Sequence, residues 1–129
     1  MHVESYIEKL NPKMENGNYW IETSAEKLIP LLKHLKAIGL ERISAITGND
    51  TGNKIDVIYH FIHKKKTINI RVSLDKKKSE IESITGIYHG ANLFERELHE
   101  MLGVEIRNHP NLKKLFLCDE SPQTPLRKD

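Results

Sequence analysis

Two neighbouring runs of alternating apolar side chains constrain the fold of this chain more than any other feature. Residues 54–63 and 67–74 place an apolar residue at every second position, which predicts two β-strands with one buried face. Residues 42–47 form a third β-like run, and short links join the three, so an antiparallel meander is the simplest topology. The predicted inward positions are Ile55, Val57, Tyr59, Phe61, Ile68, Ile70, Val72 and Leu74.

Two segments carry the spacing of amphipathic helices. The first runs from about residue 24 to 38, opens on a capping-box pair (Thr23 with Glu26) and stops at Gly39, although Pro30 removes one backbone donor inside it. Its leucines would cover the apolar face of the sheet. The second helix is predicted over 91–102. Its apolar stripe is Phe94, Leu98, Met101 and Leu102, its capping-box pair is Asn92 with Glu95, and its stop is Gly103.

These elements predict an α+β fold, an antiparallel sheet covered by helices on one face. A short helix over 3–10 and short strands at 19–21 and 81–84 complete the expected domain, 1–106. From Val104 onward the periodicity ends and prolines recur, so residues 107–129 are predicted to form an extended C-terminal arm. An arm with no core of its own is expected to lie against another protein.

Composition narrows the class of protein. The chain has 129 residues, enough for one domain with its own core, and no stretch approaches the length of about 20 apolar residues that spans a bilayer. The single cysteine, Cys118, excludes a disulfide framework and any iron–sulfur or zinc site made only of cysteines from this chain. Together with an N-terminus that lacks an apolar signal core, this predicts a cytoplasmic domain.

No motif of catalysis or of cofactor binding is present. The seven glycines form no phosphate-binding loop, no serine occupies a G-x-S-x-G elbow, and Cys118 is more typical of a small core residue than of a nucleophile. A metal enzyme built on His89, His99 and His109 would need these residues to converge through folding, which no spacing predicts. Catalytic, cofactor-binding and metal residues are therefore all predicted to be absent.

Two lysine triplets leave an alternative open. Lys64–Lys66 and Lys76–Lys78 flank the same predicted strand and could contact phosphates as part of a small nucleic-acid-binding domain. The competing and favoured interpretation is that they are solvated hairpin ends, since no group of aromatic side chains lies near them to stack on bases.

The C-terminal third resembles a known family. It contains the run A-N-L-F-E-R-E-L-H-E-M-L-G-V-E-I-R-N-H-P-N-L-K-K-L-F-L (91–117) and ends in P-L-R-K-D (125–129), and S-I-T-G-I-Y (83–88) precedes it. Together these are similar to the signature of the 30-kDa subunit of respiratory complex I, the NADH dehydrogenase of the respiratory chain. The match covers about 39 residues closely and is far more specific than any single motif above.

The resemblance implies a non-catalytic assembly subunit with no redox cofactor of its own. Such a subunit packs against the large catalytic subunit (49-kDa-like, or a hydrogenase large subunit) and lies beside an iron–sulfur subunit. Iron–sulfur clusters, and a Ni–Fe centre or flavin, then belong to those partners, and the chain reaches the cytoplasmic face of the membrane only as part of a peripheral arm. The implied docking residues are Glu95, Arg96, Glu97, His109, Pro110, Pro125, Leu126, Arg127, Lys128 and Asp129.

Four positions depart from the family pattern. The tryptophan before E-R-E is Leu93, the later aspartate is Glu100, the aromatic before the glycine is Leu102, and H-P-D-L has become H-P-N-L through Asn111. The chain also stops at P-L-R-K-D, where longer respiratory members continue. A short form of this kind is similar to the corresponding subunit of Ech-type energy-converting NiFe hydrogenases, so the hydrogenase branch is favoured and complex I itself stays open.

Overall fold

The computed structural model describes residues 3–110 and contains three helices and seven strands in this range. Lys76–Lys78 form one turn of 3-10 helix between the fifth and sixth strands. In chain order the elements are α1 (Val3–Lys9), β1 (Lys13–Glu15), β2 (Asn18–Thr23), α2 (Ala25–Ala37), β3 (Ile43–Asp50), β4 (Lys54–His63), β5 (Lys66–Asp75), β6 (Glu80–Glu82), α3 (Ala91–Leu102) and β7 (Glu105–Arg107).

Five strands form the main sheet in the order β1-β2-β5-β4-β3. The meander of β3, β4 and β5 is antiparallel throughout, which confirms the prediction from alternation. β2 lies parallel to β5 on the other side, a partner that the short run around Tyr19 did not reveal. β1 then pairs with β2 as an edge strand. The fold is therefore α+β, as expected.

The apolar face of the sheet is buried beneath the helices. All eight inward positions predicted in β4 and β5 are buried, and so are Leu28, Leu32 and Leu35 of α2. α2 packs on β5, whereas α3 packs on β3, so two helices share the cover that the sequence assigned to the first. Gly48 of β3 allows this approach of α3, because a Cβ atom there would lie 2.6 Å from Leu98 Cδ1 and closer still to Leu102 Cδ1.

The predicted start of α2 is wrong by one residue. The N-cap is Ser24, whose hydroxyl accepts a hydrogen bond from the backbone N–H of Lys27 at 3.3 Å. Thr23 is unavailable because it is the last residue of β2 and pairs with Val72. The helix continues through Pro30 to Ala37, and Gly39 follows with φ of +120°, as the stop signal predicted.

The capping box predicted for α3 is also wrong. Gly90 is the N-cap and no side chain caps it, while Asn92 and Glu95 both lie inside the helix. The spacing of asparagine and glutamate is common by chance, and here the buried position of Glu95 takes its carboxylate away from the helix N-terminus. The stop at Gly103 is confirmed: it has φ of +72°, and its N–H donates to His99 O.

The chain remains regular beyond the point where the sequence pattern ends. β7 pairs in parallel with β6, Ile106 lies opposite Ile81, and both side chains are buried. Arg107, the first residue of the predicted arm, is the last residue of this strand. The division at 106 and 107 stays a prediction, since residues 111–129, which make up most of the arm, lie outside the described residues.

Candidate functional site

The three residues of the E-R-E motif lie in three different environments on α3. Glu95 is 1% exposed, Arg96 is half-buried and Glu97 is exposed. The helical repeat explains this, because Glu95 shares its face with Leu98 and Leu102, which pack on β3. The first glutamate of the motif therefore points into the domain, which its acidic character did not suggest.

The carboxylate of Glu95 is held by the segment that precedes α3. The backbone N–H of Ile84 donates to Glu95 Oε2 at 2.9 Å, and the hydroxyl of Ser83 donates to Oε1 at 2.7 Å. The Ser83 hydroxyl in turn accepts from the backbone N–H of Thr85 at 3.2 Å. The carboxylate thus ties the start of S-I-T-G-I-Y to the middle of α3.

His109 lies on the other side of the same carboxylate. Its Nε2 is 3.8 Å from Glu95 Oε1 and 3.2 Å from the carbonyl oxygen of Asn92, and its side chain is fully buried. The H-P pair is therefore held against α3 at the end of the described chain. We call Ser83, Ile84, Asn92, Glu95 and His109 the Glu95 cluster.

Electrostatics agree with an enclosed structural role for the Glu95 cluster. Burial raises the pKa of the Glu95 carboxyl, hydrogen bonds from Ile84 and Ser83 oppose that rise, and the negative charge of Glu82 adds to it. The pKa of the fully buried Tyr59 is also raised, by burial and by the charge on Glu95. A carboxylate so enclosed and satisfied stabilises neighbouring backbone and is badly placed to meet a substrate.

The outward side of α3 offers a different kind of surface. Leu93 is 56% exposed, and Glu97 follows one turn later, also exposed. Beside them lies a groove of about 210 Å³ between α3 and β3. Its lining residues are Ile46, Thr47, Gly48, Glu97, Leu98, Met101 and Leu102. The sequence singled out Leu93 only as a departure from the family's tryptophan, and its exposure was the missing signal.

The remaining implied docking residues cluster at the end of the described chain or beyond it. Pro110 is exposed directly after His109. Pro125, Leu126, Arg127, Lys128 and Asp129 lie outside the described residues. The docking role of the whole set stays a prediction.

The three histidines of the metal hypothesis are not brought together. His89 is exposed, His99 Nδ1 lies 2.8 Å from the carbonyl oxygen of Val104, and His109 belongs to the Glu95 cluster. Among residues 3–110, no group of three or more histidine, cysteine, aspartate or glutamate side chains could hold a metal ion.

The two lysine triplets lie at opposite ends of β5. Lys64 and Lys65 form the turn before this strand, and Lys76 begins the 3-10 turn after it. Ten residues of strand separate them, which is about 30 Å at 3.3 Å per residue. Lys76 is also engaged inside the protein, where its Nζ is 3.1 Å from Asp50 Oδ2. The triplets do not form one ribbon of charge, which removes the observation that motivated a nucleic-acid-binding domain.

Lys76→Ala should destabilise the domain, whereas Lys77→Ala and Lys78→Ala should not. The Asp50 side chain is 2% exposed, so removing its lysine leaves a buried carboxylate with less compensation and should cost about 1–3 kcal/mol. Urea titrations of the three variants measure this directly. Equal and small effects at all three positions would show that the Asp50–Lys76 pair contributes nothing beyond surface charge.

Within residues 3–110, no helix is long and apolar enough to cross a membrane.

Fold and site together define a class of small α+β domain in which signature residues hold the domain's own architecture and expose a helix face beside it. The match to a family identifies the chain further: residues 21–129 fit the family described as respiratory-chain NADH dehydrogenase, 30 Kd subunit. The chain belongs to this family, which confirms the resemblance seen in the E-R-E, H-P and P-L-R-K-D motifs.

Several relatives named as the C-type subunit of NADH-quinone oxidoreductase are similar along most of this chain. The protein of Neorickettsia sennetsu is 30% identical over 118 residues, which cover 88% of this chain and 63% of that protein. The protein of Rhizobium rhizogenes is 33% identical, with 91% and 62% covered. The protein of Moorella thermoacetica is 32% identical, with 81% and 74% covered. The chain thus spans 62–63% of the first two relatives.

Two solved structures share the fold. A trypsin-resistant fragment of Nqo5 superposes with a TM-score of 0.71 at 22% identity, covering 85% of this chain and 96% of the fragment. A chain of the membrane-bound sulfane sulfur reductase, an archaeal respiratory membrane complex, superposes with a TM-score of 0.78 at 20% identity, covering 94% and 76%. These likenesses confirm the α+β architecture.

Proposed function

We propose that this chain is a non-catalytic assembly subunit in the peripheral arm of a membrane-bound, complex I-like electron-transfer complex, where it packs against the large catalytic subunit. The observation that carries the proposal is the Glu95 cluster. Three motif segments of the family meet there, yet they enclose a satisfied carboxylate rather than an open cavity. Motif residues used in this way hold a shape, and a held shape serves a neighbouring subunit.

The Glu95 cluster also determines where the C-terminal arm starts. Because the His109 side chain is buried against α3, Pro110 leaves the domain beside the outward face that carries Leu93 and Glu97. An arm that begins there can lie along the same subunit that covers this helix face. Leu93 would supply an apolar contact, and Arg96 and Glu97 would supply charged ones at the rim.

The finer assignment concerns the branch of the family and the location. We favour an energy-converting NiFe hydrogenase of the Ech type over complex I because of the departures at Leu93, Glu100 and Leu102. In either branch the iron–sulfur clusters, and a Ni–Fe centre or flavin, belong to partner subunits. The chain would then lie at the cytoplasmic face of the membrane, associated with it only through the complex.

Affinity purification of the tagged chain from its native cells, in mild detergent, tests the assembly role. Mass spectrometry should identify a large catalytic subunit, an iron–sulfur subunit and membrane subunits with it. Nickel in the large subunit would decide for the hydrogenase branch, and a nickel-free complex with NADH-oxidising subunits would decide for complex I. Recovery of the chain alone or with nucleic acid would contradict the proposal.

Arg96→Ala and Arg127→Ala should weaken assembly more than they weaken folding. Each removes a charged contact that the docking role assigns to a partner, so the recovery of other subunits should fall while the melting temperature of the isolated domain changes little. Arg42→Ala, an exposed arginine directly before β3, is the matched control. A loss of folding equal to the loss of assembly would show that Arg96 and Arg127 serve this chain's own structure.

A further inference from the structure

The turn between β4 and β5 has a sequence that its backbone does not favour. His63 pairs with Lys66, which leaves Lys64 and Lys65 as a two-residue turn. Both have positive φ, +47° and +69°, and this pattern defines a type I′ turn. Such turns favour Asn-Gly, because side chains with a Cβ and no local hydrogen bond are strained in the left-handed region. Two consecutive lysines here cost folding stability that Asn-Gly would recover.

The same turn is the most exposed basic point of the sheet. Lys64 and Lys65 are exposed, and in the part of the chain that the structure describes neither ammonium group forms an ion pair. Ile62, two residues before the turn, is 61% exposed. Lys66 extends over the ring of Tyr19, with its Nζ 5.5 Å from the ring centroid, which fixes one side of the turn. The hairpin end thus combines free charge with an exposed apolar side chain on a rigid support.

We propose that this hairpin end, defined by Ile62, Lys64 and Lys65, is a second docking point that binds a carboxylate-rich surface on another subunit of the same complex. The inference rests on the proposed function and extends it to a surface that none of the family motifs includes. Strained backbone that is kept at an exposed turn favours a use for its side chains, and here those side chains are ammonium groups.

A protein surface fits this hairpin end better than a membrane or a nucleic acid does. Two lysines and one isoleucine are too few for independent binding to anionic lipid, which takes a larger basic cluster or a lipid anchor. A phosphate backbone would leave Ile62 without an apolar contact, and the second lysine triplet is too distant to help. Carboxylates beside an apolar patch match both kinds of side chain.

The decisive variant replaces the turn by its preferred sequence, K64N/K65G, in the tagged full chain expressed in native cells. The melting temperature of the purified chain should rise by about 3–6 °C, because strain is relieved. Recovery of the other subunits should nevertheless fall about three- to tenfold, because two rim charges are lost. K77N/K78N removes the same charge from exposed lysines at the opposite end of β5 and should leave recovery unchanged.

Carbodiimide cross-linking of the wild-type complex provides a direct test of the chemistry, since it joins amines to carboxylates that are in contact. It should link Lys64 or Lys65 to an aspartate or glutamate of another subunit. Full recovery of the complex with K64N/K65G, an equal loss with K77N/K78N, or binding to vesicles of anionic phospholipid that needs Lys64 and Lys65 would overturn this inference alone. Failure of the wild-type chain to recover any subunit would instead overturn the proposed function on which it rests.

Discussion

Glu95→Ala should be among the most destabilising single changes in this domain, with a loss of about 2–4 kcal/mol in the free energy of unfolding. The variant leaves the backbone N–H of Ile84 and the hydroxyl of Ser83 without their acceptor in a region where Glu95 is 1% exposed. It also opens a cavity beside His109. Urea unfolding followed by circular dichroism measures the loss.

Two further variants separate the possible causes. Glu97→Ala, two residues along the same helix and exposed, should change the free energy of unfolding by less than about 0.5 kcal/mol. Glu95→Gln keeps an acceptor for Ile84 and does not titrate. Because burial raises the pKa of Glu95, its contribution to stability is largest below the unfolded pKa and falls as the pH rises through the folded pKa.

The stability of Glu95→Gln relative to wild type should therefore improve as the pH is raised from about 4 to about 8. The difference between the two proteins cancels the titration of the other groups, which both share. An unchanged difference across this range would mean that the carboxyl has the same pKa in the folded and unfolded chains. A loss with Glu97→Ala as large as with Glu95→Ala would contradict the buried placement of Glu95.

Gly48→Val should destabilise the domain by about 1–3 kcal/mol, because overpacking forces neighbouring side chains away from their rotamers. A Cβ atom at position 48 already lies 2.6 Å from Leu98 Cδ1, and the branched side chain of valine adds to this overlap. Leu98 and Leu102 are both buried, so they have little room to move. Thermal unfolding should show a lower melting temperature than that of the wild-type domain.

The neighbouring substitution Asn49→Val is the control for strand propensity, since Asn49 is exposed on the same strand. Gly48→Val combined with Leu102→Ala should recover part of the loss, because the second change removes the nearer methyl group. If the two losses simply add, the close approach of α3 to β3 is not what Gly48 provides.

Most of the architecture could be predicted from local pattern. Alternation in 54–63 and 67–74 predicted both strands and their buried faces, because a period of two leaves one apolar face that must be covered. Gly39 and Gly103 marked the ends of α2 and α3, because both positions need a positive φ. β7 was missed, since three residues beside a parallel partner carry no periodicity of their own.

The candidate site was predicted less well. The E-R-E and H-P motifs were found, but Glu95 was interpreted first as a helix cap and then as a docking residue, whereas its carboxylate is enclosed by Ser83 and Ile84. Charge alone suggests exposure, and only the helical phase relative to Leu98 and Leu102 reveals the opposite. The phase was readable in the sequence, but its meaning depended on which side of α3 meets the sheet.

The sequence by itself determined the secondary structure, the buried face of the sheet and the family, because these depend on periodicity and on runs of residues close together in the chain. Only the tertiary structure decided that Ser83, Glu95 and His109 meet, that Lys76 pairs with Asp50, and that the lysine triplets lie at opposite ends of β5. Such contacts join residues 12 to 26 positions apart. They arise from how helices and strands pack, which no local pattern encodes.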